Sequence, residues 1–285
     1  MKRLIIIISA IVISACEAGL DYSRVESDEC IYVNAIIGNY ALSAVNAYVA
    51  IPMNSEDYGK CRKTVSVSGS IGGRPMALED HMGDAYFDEG TKILNGEEIH
   101  PGDMIEIKAS AEGVSDICAR TKVPEEINLI SARIVERKRG FITFEIIYEE
   151  EPGYEGYYGI YFYNNDISEG PGLLLPESYD MIVSHWSGGE IVIWDRHKVS
   201  REGNVVTFRT SVEIRDGINA SGYLVTLYSL SPETFYYLRG EYIRSSTGFA
   251  ALGMGTPAFT YSNVIGGTGI AGSYWGTDIT LNQYD

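Results

Sequence analysis

Short segments in which apolar and polar residues alternate recur along most of the chain. Val65 and Val67 stand between polar neighbours within residues 63–70, and residues 104–109 alternate in the same way after a Pro-Gly-Asp turn. A period of two puts successive side chains on opposite faces of an extended strand, so each segment predicts a half-buried β-strand. Turn residues separate the segments at a spacing that is typical of a β-sandwich.

Other segments are rich in β-branched and aromatic residues. They predict strands at residues 30–37, 118–123, 127–135, 140–148, 182–183, 191–194, 205–208, 212–214 and 223–227. Residues 118–123 are predicted as an edge strand, because Pro124 follows them. Residues 41–51 are apolar and rich in alanine, which leaves a short helix open there.

One helix start interrupts the β pattern. Ser231 is suited to cap a helix, and Pro232 after it is suited to the first helical position. We therefore predict one short helix that begins at residue 232 and runs through Ile243.

Pro124 and the two glutamates after it mark the predicted domain boundary. We expect a mainly β protein, with an N-terminal Ig-like or transthyretin-like β-sandwich over residues 30–124. A larger antiparallel β domain over residues 127–285 should follow and contain the short helix. The sequence leaves open whether this second domain is a sandwich or a barrel.

The N-terminus carries the parts of a secretory signal. Lys2 and Arg3 precede an apolar core of roughly ten residues, too short for a membrane span of about 20. The core ends in Ile-Ser-Ala-Cys, which fits the bacterial lipobox. We predict a lipoprotein signal peptide over residues 1–15, a lipid anchor on Cys16 and a tether over residues 16–29. The alternative is an ordinary signal peptide with a chance cysteine.

Charge and composition exclude several classes of function. With 22 Lys and Arg against 39 Asp and Glu, the net charge is -17, which disfavours binding to nucleic acid. The four histidines have no metal-ligand spacing, so we expect no metal and no cofactor. If Cys16 is lipidated, Cys30, Cys61 and Cys118 can form at most one disulfide, and the sequence does not say which.

An aromatic-dense strand is the candidate surface for a ligand or partner. Its tyrosines are Tyr154, Tyr157, Tyr158, Tyr161 and Tyr163. They predict either a sheet with one core face and one half-exposed face, or a platform on which a sugar or peptide stacks.

The glycine run near the C-terminus matches G-x-G-x-x-G at residues 267–272. A dinucleotide site needs a βαβ unit and a later acidic residue, and neither surrounds this run. We interpret the glycines as points of tight turning or close backbone approach. Residues 261–272 should fold against the second domain, with Val264, Ile265 and Ile270 as apolar anchors. The sequence carries no recognised catalytic motif.

Three stretches resemble one family of lipoproteins from Bacteroidetes, the domain of unknown function 4249. They are the closing motif at residues 256–272, the helix start at residues 227–238, and the segments Pro101-Gly102-Asp103-Met104-Ile105 and Ala119-Arg120-Thr121-Lys122-Val123-Pro124. The resemblance implies an outer-membrane or surface lipoprotein, often encoded beside a TonB-dependent receptor. It implies no catalytic residues.

We therefore expect a non-catalytic accessory protein, anchored to the membrane through Cys16, that captures a nutrient or docks on such a receptor. Two alternatives are a lipid-anchored hydrolase of a polymer and a structural envelope protein.

Overall fold

The computed structural model describes residues 28–39, 43–52, 55, 63–81, 91–138, 140–150, 156–164, 174–176, 182–186, 189–198, 200–213, 223–246 and 261–281. Within them lie one α-helix, α1 (Pro232–Ser246), a 3-10 turn (Arg196–Lys198) and nineteen strands. The strands are β1 (Cys30–Gly38), β2 (Ala44–Ala50), β3 (Ser66–Ile71), β4 (Arg74–Pro75), β5 (Leu78–Asp80), β6 (Lys92–Leu94), β7 (Met104–Ala111), β8 (Val114–Lys122), β9 (Asn128–Lys138), β10 (Phe141–Glu149), β11 (Tyr157–Asn164), β12 (Leu174–Pro176), β13 (Ile182–Trp186), β14 (Gly189–Asp195), β15 (Ser200–Glu202), β16 (Val205–Glu213), β17 (Tyr223–Leu230), β18 (Val264–Ile265) and β19 (Thr268–Leu281).

A nine-stranded sheet forms the central layer, in the order β13-β14-β11-β17-β19-β1-β2-β6-β5. The long strand β19 lies at its middle, antiparallel to β17 on one side and parallel to β1 on the other. Strands from before and after Pro124 therefore share one sheet.

Two smaller sheets pack on this layer. The sheet β18-β8-β7-β3-β4 covers β1 and β2 over a core that includes Ile31, Val33 and Ile107, the first core. The sheet β12-β16-β10-β9, to which β15 is also paired, covers β11, β14 and β17 over the second core. Ala271 lies in the first core and Ile279 in the second. Since they are eight residues apart on β19, both small sheets cover the same face of the central sheet.

Helix α1 covers part of the opposite face. Its buried residues Phe235 and Leu238 pack with Ile191, Leu230 and Tyr274 of the sheet. The predicted helix start is confirmed, because the Thr234 amide donates to the Ser231 hydroxyl at 3.2 Å and Pro232 is the first helical residue.

The predicted fold class is confirmed: the protein is mainly β and sandwich-like, with one short helix among the described residues. Residues 44–50 form a strand, not a helix, and residues 205–213 form one strand instead of two. The prediction of an edge strand at residues 118–123 is wrong, because β8 lies between β7 and β18. The division into two domains at Pro124 stays a prediction, as does the choice of disulfide, since Cys61 lies outside the described residues.

The closing segment departs from the prediction. Its strand β18 pairs with β8, and residues 268–274 pair with β1, so it packs chiefly against elements that precede Pro124. Ile270 is fully buried and Val264 packs against the first core, whereas Ile265 is 77% exposed and anchors nothing. The segment follows β1 because its glycines admit the backbone of that strand.

That close approach confirms the interpretation of the glycine run. A β-carbon on Gly269 would lie 1.9 Å from the Val33 carbonyl oxygen, and one on Gly267 would lie 2.3 Å from that of Ile31. Both distances are far below van der Waals contact, so the motif serves strand packing.

Candidate functional site

The predicted tyrosine strand is β11, between β14 and β17 of the central sheet. Its side chains alternate between the helix side and the second core. Tyr158 is 1% exposed, with its ring centroid 5.2 Å from that of Tyr148 and 6.0 Å from that of Trp194. The assignment of Tyr158 to a ligand or partner surface is therefore wrong, because the period of two turns it into the core.

The other predicted site residues divide into two groups. Tyr157 and Tyr161 are half-buried. Tyr154, the whole signal peptide and the lipidation site Cys16 lie outside the described residues, as does the side chain of Tyr163.

Tyr157 belongs to an aromatic cluster that β11 forms with α1. Its ring stacks on Phe235 at a centroid distance of 4.5 Å, and its hydroxyl lies 3.0 Å from the hydroxyl of Tyr236. The Tyr236 ring in turn lies 5.6 Å from that of Tyr261. We call Tyr157, Phe235, Tyr236 and Tyr261 the helix-side cluster. Sequence analysis missed it because its members lie on three separate segments, and local spacing carries no sign of their contact.

The outward side of α1 exposes two large hydrophobic side chains two turns apart, with the exposed Arg239 beside them. Tyr236 is 38% exposed and Ile243 is 43% exposed. They are seven residues apart, which places them on the same side of a helix, with Gly240 between them. We call Tyr236, Gly240 and Ile243 the helix ridge. It is a surface on which a protein partner could bury an aromatic and an aliphatic side chain.

Aromatic contacts continue on the other side of the helix. The hydroxyl groups of Tyr237 and Tyr32 share a hydrogen bond, and Tyr32 stacks on Tyr48 with a centroid distance of 4.9 Å. Burial raises the pKa of the Tyr32 phenol, and the neighbouring phenols of Tyr237 and Tyr48 raise it further. Tyr32 is therefore neutral at physiological pH, and this surface presents uncharged rings.

Two buried carboxylates each lie between two arginines. Glu145 on β10 accepts hydrogen bonds from Arg133 at 2.9 Å and Arg209 at 2.8 Å, and these bonds lower the pKa of its carboxyl group. A general acid in catalysis needs a raised pKa, so Glu145 is unsuited to that role. Glu150 lies 3.5 Å from Arg201 and 3.8 Å from Arg196. Both sets of charges tie neighbouring segments together.

The part of the chain that the structure describes holds neither a metal-binding cluster nor a membrane-spanning helix. No group of three or more His, Cys, Asp or Glu side chains there could hold a metal ion. No helix in that part of the chain combines the length and apolar character that a membrane crossing requires.

A family model, "Domain of unknown function (DUF4249)", matches residues 23–279. The chain belongs to this family. Among curated proteins, none matches it.

Solved structures resemble this DUF4249 protein only remotely. A β-glucuronidase from Parabacteroides merdae matches 72% of the chain at 10% identity and a TM-score of 0.20, and the chain spans 23% of that enzyme's length. The C-terminal domain of the AgI/II polypeptide BspA from Streptococcus agalactiae matches 90% of the chain and 99% of its own length, at 7% identity and a TM-score of 0.22. Scores this low carry no argument about activity.

The closing motif of this DUF4249 chain makes structural contacts. The Asn263 side chain accepts from the Ala271 amide at 2.9 Å and donates to the carbonyl oxygens of Ala271 and Arg120 at 2.8 and 2.9 Å. The Ser273 amide donates to the Ser231 hydroxyl at 3.1 Å, which joins β19 to the start of α1. Asn263 of the motif thus joins β8 to β19, and Ser273 directly after the motif joins β19 to the start of α1.

Proposed function

We propose that this protein is a lipid-anchored, non-catalytic accessory protein at the outer membrane or cell surface. It serves nutrient capture beside a TonB-dependent receptor, in the Bacteroidetes context that the resemblance implies. The observation that carries the proposal is the helix ridge, which exposes an aromatic side chain at one end, Tyr236, and an aliphatic side chain at the other, Ile243. Aromatic side chains of this kind supply large contact area at low cost in conformational entropy.

Three further observations support it. The sequence fits a lipobox at Cys16 after a charged and apolar start, and a mostly polar stretch over residues 17–29 precedes the first strand, β1. The chain belongs to DUF4249. The buried carboxylate Glu145 has a lowered pKa, which removes one candidate acid from the alternative of a polymer hydrolase.

The docking test is affinity purification from native membranes through a C-terminal tag. We expect a TonB-dependent receptor to co-purify with the wild-type protein and to be lost with Ile243→Asp. Ile130→Asp, at a residue that is 53% exposed on β9, is the matched control and should retain the receptor. Recovery of the protein alone, or equal recovery of the receptor with Ile243→Asp, would contradict the proposal.

The anchor has its own test. Detergent phase partition should place the wild-type protein in the detergent phase and Cys16→Ala in the aqueous phase, because the cysteine thiol carries the lipid. Partition of both into the aqueous phase would show that the anchor is absent. Turnover of a glycan or peptide panel that is lost on changing one carboxylate would favour the hydrolase instead.

A further inference from the structure

A second exposed surface lies beside α1, on the face of β1 and β2 that points away from the first core. Tyr32 pairs directly with Tyr48 across these two strands, and Asn34 pairs directly with Asn46. Directly opposed residues of an antiparallel pair point to the same face, with β-carbons about 4.5–5.5 Å apart. The four side chains therefore form one continuous patch, which we call the Tyr-Asn surface.

Helix α1 borders this surface. Tyr237 is hydrogen-bonded to Tyr32, and Glu241, one turn further along the helix, lies near enough to raise the pKa of Tyr32. Among the described residues, the helix packs mainly on β13 and β19, and β1 and β2 extend beyond it. The Tyr-Asn surface is therefore a sheet face of aromatic rings and carboxamides, bordered on one side by the Tyr237 phenol and the Glu241 carboxylate of α1.

Side chains of the Tyr-Asn surface are available for contact with a ligand. One face of the Tyr48 ring stacks on Tyr32, and the residue is still 49% exposed. Asn34 and Asn46 are partly exposed, and their carboxamides make no hydrogen bond to any part of the chain that the structure describes. Each carboxamide offers two N–H donors and a carbonyl acceptor.

We propose that the Tyr-Asn surface binds an uncharged carbohydrate. A sugar ring has an apolar face of C–H groups that can stack on Tyr48, and hydroxyl groups that both donate and accept. The carboxamides of Asn34 and Asn46 match those hydroxyl groups in both roles. This inference deepens the proposed function, on which it rests, because it names the class of nutrient.

Charge and geometry favour this occupant over two others. None of the four side chains of the Tyr-Asn surface is charged, Glu241 at its border is acidic, and the protein carries a net charge of -17. An anionic polymer would be repelled. A peptide that binds by adding a strand pairs with the edge of a sheet, whereas this patch is a sheet face.

The test measures binding of the full-length chain, purified in detergent, to an array of neutral and acidic oligosaccharides, with calorimetry on every hit. We expect at least one neutral oligosaccharide to bind. Tyr48→Ala should weaken it about tenfold or more, as is usual for an aromatic anchor. Asn46→Ala should also weaken it, and Tyr48→Trp should retain it. Met104→Ala, at a residue that is 48% exposed on β7 of a different sheet, is the control and should bind like the wild type.

Three results would overturn the inference. They are an array without any neutral hit, binding that Tyr48→Ala leaves unchanged, and binding of acidic oligosaccharides alone. A thermal melt of each variant separates lost binding from lost folding, and Tyr48→Trp keeps the test decisive if Tyr48→Ala unfolds.

The two proposals fail separately. Receptor co-purification that survives Tyr48→Ala, together with an empty array, would leave docking intact and remove the carbohydrate site. Neutral sugar binding by a protein that recovers no receptor would do the reverse.

Discussion

Gly267, Gly269 and Gly272 stand where a β-carbon would overlap another part of the chain. At Gly267 and Gly269 the obstacle is the backbone of β1, and at Gly272 it is the Thr234 hydroxyl, 2.3 Å from the position of a β-carbon. The sequence indicated close approach at this run but not its partner, because β1 lies more than 200 residues earlier. A run of glycines indicates that another part of the chain passes close by, but it does not indicate which part.

Gly269→Ala should therefore be severely destabilising. Gly269 has a φ of +111°, and its β-carbon would lie 1.9 Å from the Val33 carbonyl oxygen. We expect the free energy of unfolding to fall by about 3 kcal/mol or more, from backbone strain and overpacking together. Urea denaturation measures it.

Gly140→Ala is the matched control. Gly140 has a φ of +85°, and nothing lies within 4 Å of its β-carbon position. Only strain remains there, so the cost should be about 1 kcal/mol. Equal losses at Gly269 and Gly140 would mean that the packing against β1 is unimportant.

At the scale of elements, the strands with a clear period of two were predicted, and the strand that organises the sheet was not. Alternation predicted β3 and β7, since each has one face on the first core and one towards solvent. The β-branched and aromatic content of residues 127–135 and 140–148 predicted β9 and β10. β19 has cores on both faces, so its sequence does not alternate. The helix-side cluster and the Tyr-Asn surface were missed for a related reason, because tertiary packing assembles them from separate elements.

The link between β19 and α1 gives a prediction about the helix cap. The Ser231 hydroxyl accepts from the amides of Thr234 and Ser273, and it is buried. Ser231→Ala should lower the free energy of unfolding by about 2 kcal/mol, since both a cap and a buried acceptor are lost. Ser231→Thr keeps the hydroxyl and should recover most of it in the same chemical denaturation. A loss below about 0.5 kcal/mol, the level of a neutral surface change, would contradict the role of this hydroxyl.

The charge cluster on β9, β10 and β16 predicts how stability depends on pH. Hydrogen bonds from Arg133 and then Arg209 lower the pKa of Glu145 in the folded state. A carboxyl with a lower pKa when folded stabilises above its unfolded pKa, and that stability is lost as pH falls through the folded pKa. Glu145→Gln should flatten the fall in the free energy of unfolding between about pH 5 and pH 3.

Glu112→Gln is the control for that profile. Glu112 is exposed in the turn between β7 and β8, so this variant should follow the wild-type curve. A Glu145→Gln profile parallel to the wild type would show that the arginines do not hold this carboxylate in solution.

At the scale of the whole molecule, the first and second cores lie side by side under one sheet, and β19 contributes to both. Pro124 does separate the chain segments that supply most of each core, since Val123 belongs to the first and Ile127 to the second. Composition and turn residues could suggest that division. They could not show that the C-terminal strand returns between β1 and β17, because parallel pairing of distant segments leaves no local pattern.

This placement predicts that both cores depend on the C-terminus. A chain that ends at residue 267 lacks β19 and leaves β1 and β17 without the strand between them. It also removes Ala271 from the first core and Ile279 from the second. We expect the whole protein, and not only residues 127–285, to lose its cooperative thermal transition. Circular dichroism during heating measures this transition. Ile265→Ser, a change in the same segment at a residue that is 77% exposed, should leave the melting temperature unchanged. A truncated protein that still melts cooperatively, or that yields a protease-resistant fragment near residues 30–124, would show that the N-terminal part folds without β19.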